Sequence, residues 1–161
     1  MAFFDGLAPV EPESMLGAWR GASFASGHPL DGVLENFGWH GKRFDSTEHV
    51  HPLLFRSAGG RIVQVRAGWI FPFVPLLLRF PALRSRAAGR FAQAVVPLLS
   101  TRRSGARLRM LAFRGKTGAA MVYDDAPIID VFRRMDDGTV LGMMDMKGME
   151  QPFFFVLRRE G

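Results

Sequence analysis

The sequence contains no cysteine. That excludes disulfides, thiolate metal sites and cysteine nucleophiles, and it suits a reducing, cytoplasmic setting in which packing alone holds the fold. Long apolar runs are missing as well. The longest, Gly68 to Leu78, is interrupted by Pro72 and Pro75 and ended by Arg79, well short of the roughly 20 residues a spanning helix needs. Met1 to Val10 has no basic stretch and is broken by Asp5 and Pro9, so no signal peptide is expected. Acidic residues are absent from His49 to Tyr123, a segment with thirteen Arg or Lys, and all fifteen Asp and Glu lie outside it. Such polarisation steers anionic partners or a membrane surface; the same arginines also suit a solvated face. The basic residues are interleaved with Leu, Val and Ala and not with a platform of exposed aromatics, so nucleic acid is not an expected partner.

Standard signatures of chemistry are lacking too. There is no phosphate-binding glycine loop, dinucleotide fingerprint, Gly-x-Ser-x-Gly elbow or His-Glu-x-x-His helix, and no cofactor or metal is expected. His49 and His51 share a strand face by spacing and, with His28 or His40, are the one combination with ligand potential. A surface His49 and a loop-anchoring His51 before Pro52 account for them equally.

What is present is a core former: 161 residues, 48% apolar, with fifteen Phe and nine Met. That length fits a single domain over 1–161 burying roughly 70% of its unfolded surface. Glu11 to Leu16 reads as a short helix closed by Gly17, and Leu30 to Phe37 as a short helical or irregular piece. Strands are expected at 18–24, 39–44, 50–56 and 61–66, then evenly spaced at 106–114, 117–123, 127–134, 139–146 and 152–159. Prolines break up 69–101, where 82–96 is the best helical window, with Leu83, Phe91 and Val95 on an inward face and Arg84, Arg86 and Arg90 outward. Short strands at 8 to 12 residue spacing indicate an antiparallel meander closing into a barrel or strongly curved sheet.

Gly17-Ala18-Trp19-Arg20-Gly21, followed by Gly27-His28-Pro29-Leu30-Asp31-Gly32, Gly38-Trp39-His40-Gly41-Lys42-Arg43-Phe44 and Val50-His51-Pro52-Leu53-Leu54-Phe55, resembles the N-terminal part of the bacterial GXWXG-motif family. Met121 to Asp130 and Val140 to Gly148 resemble the companion domain of unknown function found with it. The resemblance divides the chain into 14–60, a helical insertion and linker at 61–105, and a meander at 106–160. The Gly-x-Trp on a first strand also resembles lipocalins and other calycins. That resemblance implies a calycin-like barrel with Trp19 at its closed end against Arg158 or Arg159.

Candidate site residues follow from loops and strand alternation. His28 and Asp31 sit in a glycine-flanked loop able to present both at a barrel mouth, although Asp31 also suits a loop cap. His51, Tyr123 beside Asp124, and Lys147 are further ligand-binding candidates. If Asp137-Gly138 is a two-residue turn, Asp130 falls opposite Asp145 and the two form a candidate acid and base. A three-residue turn parts them. The expected function is binding of a small hydrophobic or amphipathic molecule of fatty acid, isoprenoid or polyketide type in a barrel cavity, with peripheral contact to anionic membrane. The alternative is an isomerase, cyclase or hydro-lyase acting on such a molecule with a buried carboxylate pair. Oligomeric state leaves no signal in this sequence.

Overall fold

The computed structural model describes all residues 1–161. Its strands are β1 (Ala8–Pro9), β2 (Gly17–Ser23), β3 (Trp39–Phe44), β4 (Val50–Arg56), β5 (Ile62–Val65), β6 (Ser100–Thr101), β7 (Ala106–Phe113), β8 (Lys116–Tyr123), β9 (Ile128–Asp136), β10 (Thr139–Met146) and β11 (Phe153–Arg159). Eight of them pair antiparallel in the ring β2-β3-β4-β7-β8-β9-β10-β11, with β11 returning to β2. The result is a closed, lipocalin-like barrel, which leaves no edge among those strands. Short helices α1 (Ala2–Gly6), α2 (Val33–Asn36), α3 (Ala67–Ile70), α4 (Val74–Arg79) and α5 (Arg86–Val95) flank it. The expected helix at 11–16 is a single 3-10 turn, Pro12–Met15.

Strand alternation sorts the core into two clusters. Phe132, Met144, Phe153, Phe155 and Leu157 point into the barrel, whereas Val131, Leu141, Met143, Phe154 and Val156 point outward yet are also buried. The N-terminal segment covers that outer face. Phe4 packs on Phe154 at 5.8 Å between ring centroids, and β1 pairs with β9. This double cover explains why β10 and β11 read as nearly continuous apolar runs.

The opening motif has a packing explanation. The Trp19 indole is 2% exposed and donates through Nε1 to the Met15 carbonyl at 2.6 Å. The Arg159 guanidinium lies 4.4 Å from the ring centroid and donates to the carbonyls of Leu16 and Ser14, so of the two expected arginines it is Arg159 that stacks. Gly17, with φ +113°, leaves room for that guanidinium, since a Cβ there would stand 3.1 Å from Nη1. Gly21 leaves room for Trp39, whose ring would meet a Cβ at 2.3 Å.

Between β4 and β7 the barrel is barely joined. The two strands pair through Val50 and Ala106, after which β4 departs to pair with β5 from Leu54 to Arg56. The insertion fills the gap. The 82–96 window is not one helix: a 3-10 turn over Pro81–Arg84 gives way at Ser85, whose extended backbone and side-chain oxygen cap α5 by accepting from Ala88 N at 3.3 Å. A serine caps better than it continues a helix. Leu83 and Phe91, expected to face inward, are exposed, Phe91 to 73%. Arg86 and Arg90 are exposed as expected, Arg84 is half-buried, and Arg79 is exposed as well.

The Gly21→Ala substitution forces the Trp39 ring aside. It is expected to cost about 1–3 kcal/mol in urea unfolding, and less in a Trp39→Leu background. An equal cost in both backgrounds would show that Gly21 is not spacing for that indole.

Candidate functional site

A cavity of about 470 Å³ occupies the half of the barrel beneath the insertion. Its lining is almost wholly apolar, including Leu53, Phe55, Val74, Leu77, Met144, Phe153 and Phe155, and its polar members are Lys42, Tyr123 and Asp130. These three converge. Lys42 Nζ lies 2.9 Å from Asp130 Oδ2 and donates to Tyr123 OH at 3.1 Å and to the Pro52 carbonyl at 3.2 Å, while Tyr123 OH donates to Asp130 Oδ2 at 3.3 Å. All three side chains are buried. Lys42 Nζ also sits 4.9 Å from the Phe155 ring centroid and 5.6 Å from that of Trp39, where ring faces favour the cation.

Burial pushes the Asp130 carboxyl above its ordinary value against the pull of the Lys42 ammonium, and burial pushes that ammonium below its own against the pull of Asp130. Burial and the neighbouring Asp130 carboxylate push the Tyr123 hydroxyl far up, so it stays protonated. The cluster therefore carries no net charge, whether the proton rests on nitrogen or oxygen. Two polar atoms on residues that line the cavity, Asp130 Oδ1 and Trp39 Nε1, are buried without a hydrogen-bond partner in the protein. Such atoms cost free energy unless something meets them.

The expected Asp130–Asp145 pair does not form. Thr139 pairs with Asp136, as a two-residue turn at Asp137-Gly138 requires, but the register then slips at Met135 so that Val140 meets Arg134 and Met144 meets Asp130. One extra residue in β9 turns Asp145 out to solvent, and Lys147 with it. Asp31 caps its loop instead of facing the cavity, accepting from the amides of Ser26 and Gly27 at 2.8 Å and of His28 at 3.1 Å. The His28 ring packs on Phe153 and accepts from Leu30 N through Nδ1, and burial pushes its imidazole below the ordinary value. His51 is buried between Asp45 and Gln64, His40 pairs with Glu160, and His49 is exposed, so the histidines do not converge. Asp124 is an exposed partner of Arg107. Of the residues singled out by sequence, Tyr123 and Asp130 line the cavity; His28, Asp31, His51, Asp124, Asp145 and Lys147 do not.

Lys42 was not legible. Trp39 and Lys42 both line the cavity although three residues apart, which a flat strand forbids, because register slips on either side of Gly41 re-aim the chain. The Gly-x-x-Gly spacing around Trp39 is the only trace of it, and it does not specify a bulge.

Replacing Lys42 by Met leaves Asp130 buried without its counter-charge. A carboxyl whose folded value is raised loses stabilisation as pH rises from its unfolded value of about 4 through the folded one, and removing Lys42 widens that window upward. The variant is expected to lose about 3–5 kcal/mol in urea unfolding at pH 8 and less at pH 5. Adding Asp130→Asn should abolish the difference between the two pH values. An equal loss at both in Lys42→Met would show that Asp130 does not hold its proton there.

A crystal structure of a protein from Thermomonospora curvata is 38% identical and superposes with a TM-score of 0.72, covering 99% of this chain and 84% of that one. No curated protein matches. Residues 2–60 match the GXWXG protein family, and residues 104–159 match a domain of unknown function, DUF4334. With both halves of the pattern on one closed barrel, the chain belongs to the GXWXG family and carries its DUF4334 companion.

Proposed function

We propose that the barrel binds a small hydrophobic or amphipathic molecule, its apolar body along the cavity wall and one polar group against Lys42, Tyr123 and Asp130. The observation that carries this reading is the neutral polar cluster buried at the floor of an otherwise apolar cavity of about 470 Å³. That volume lies within the usual range of small-molecule sites, which pair apolar walls with a few placed polar groups. Asp130 Oδ1 is buried without a partner and calls for a donor, which a hydroxyl seated against the cluster would supply. A carboxylate supplies no donor and finds no surplus positive charge, because Asp130 already offsets Lys42. Isoprenoid or polyketide-like alcohols therefore fit the floor better than free fatty acids. A reducing cytoplasmic setting, which the cysteine-free composition suits, is part of the same proposal. No helix is long and apolar enough to cross a membrane.

Displacement of the fluorescent apolar probe N-phenyl-1-naphthylamine tests it. Dodecan-1-ol is expected to displace the probe about tenfold more effectively than dodecanoate at pH 8, a difference of about 1.4 kcal/mol, and Met144→Trp, which fills the cavity, should abolish binding. Failure of the wild-type protein to bind the probe, or indifference to Met144→Trp, would refute the reading.

A second reading is favoured by one geometric fact. Asp130 has one oxygen held by Lys42 and Tyr123 and one buried without a partner, so that a base and two proton donors stand side by side at the cavity floor. An isomerase, cyclase or hydro-lyase would use this carboxylate–lysine–tyrosine set in place of the carboxylate pair expected from sequence. Asp130→Asn would then remove turnover of a bound unsaturated alcohol while sparing its binding.

A further inference from the structure

The mouth of the cavity has a composition that binding alone does not explain. Trp69, Phe73, Phe91 and Leu99 line it and are exposed, and Leu76, Phe80 and Leu98 stand exposed on the same insertion, Leu98 to 84%. Exposed apolar side chains gathered on one insertion mark an interaction site. Arg79, Arg86 and Arg90 on the insertion, and Arg102 and Arg103 just beyond it, are exposed and take part in none of the protein's ion pairs, and no acidic residue occurs between His49 and Tyr123. The insertion is held firmly. Asn36 Nδ2 donates to the Arg84 carbonyl at 3.2 Å, Gln93 Nε2 donates to the Asn36 carbonyl at 2.9 Å, and Arg66 pairs with Asp125 at 2.9 Å.

We propose that this rim is a docking face for the surface of an anionic lipid bilayer, with the aromatic and leucine side chains entering the interface and the unpaired arginines on the headgroups. An interfacial surface combines these two features, large apolar side chains beside Arg or Lys. A second copy of the chain is a poor occupant, because two-fold pairing would set the same uncompensated arginines against each other. The cavity opens where the lipid would lie, so an apolar molecule passes between bilayer and barrel without crossing water.

The three tryptophans make the test specific: Trp19 and Trp39 are 2% and 6% exposed, and Trp69 is 46% exposed. Ligand-free protein is mixed with phosphatidylglycerol–phosphatidylcholine vesicles or pure phosphatidylcholine vesicles, with sedimentation and tryptophan emission followed together. The expected result is binding to the anionic vesicles, weakened by salt, with a blue shift that disappears in Trp69→Phe. Replacing Arg79, Arg86 and Arg90 by Gln should weaken partitioning about a hundredfold, at about fivefold per arginine. Leu76→Ser with Leu98→Ser should weaken it while leaving probe binding intact, since neither residue lines the cavity. Absence of vesicle binding, equal binding to neutral vesicles, binding with Trp69 emission unchanged, or a dimer that shields Trp69 without lipid would each overturn the proposal. Probe binding measured without vesicles stands or falls separately.

Discussion

The interior of this barrel is organised by one ion pair. Lys42 on β3 and Asp130 on β9 sit four strands apart in a ring of eight, so their contact crosses the barrel diameter instead of bridging neighbours. Two residues further along each strand, Phe44 meets Phe132 edge-on at 5.9 Å, and Trp19 and Met15 lie buried in the same cluster without reaching the cavity. The barrel is thus packed solid on one side of the pair and hollow on the other. A buried pair of this kind gains little over an apolar filling and costs much when one partner is lost. It stands at the boundary between the solid half and the hollow half.

The hollow half depends on a second constraint, the near-absence of pairing between β4 and β7. A small barrel fully zipped on all sides has room only for its own side chains. Here β4 turns away to build a short sheet with β5 and β6, and the chain must then cover the gap with whatever lies between residues 66 and 100. Prolines at 72, 75, 81 and 97 keep that cover in short turns, none longer than the ten residues of α5. Short turns cannot bury every apolar residue they carry, which is why so much of the rim remains in solvent.

Much of the architecture was legible in the sequence, for reasons that are local. Even strand spacing and glycine-marked turns located the meander, and the Gly-x-Trp resemblance located the Trp19–Arg159 stack, because each depends on neighbours in sequence or on a recurrent local motif. The site depended on register, which is not local. Of the two turns open at Asp137-Gly138 the two-residue one is present, yet one bulged residue at Met135 is enough to replace an Asp130–Asp145 pair with Asp130 facing Lys42. A strand's period of two makes every such slip an exchange of inside for outside. The inward face assigned to Leu83, Phe91 and Val95 held in part: Phe91 and Val95 line the cavity, but Leu83 does not, and Leu83 and Phe91 are exposed, since amphipathic spacing reports that a helix has an apolar side and not whether anything covers it.

The distribution of the site over the chain has a thermodynamic consequence. Lys42 falls in the span matched by the GXWXG family, Tyr123 and Asp130 fall in the DUF4334 span, and the rim from Trp69 to Leu99 falls in neither. Neither span alone can satisfy its own buried charge: without β9 the lysine has no carboxylate, and without β3 the aspartate has no cation. The desolvation cost of each is offset only when the ring closes, so closure of the barrel and assembly of the polar floor are one event. The rim carries no such coupling. Its inner residues are held by packing, Phe71 edge-on to Tyr123 at 5.7 Å and Val74 and Val96 in the core, with hydrogen bonds through Asn36 and Gln93 and the Arg66–Asp125 pair. Exposed positions that do not line the cavity, Leu76, Phe80 and Leu98, can therefore change without disturbing the polar floor, whereas Phe71, packed on Tyr123, cannot.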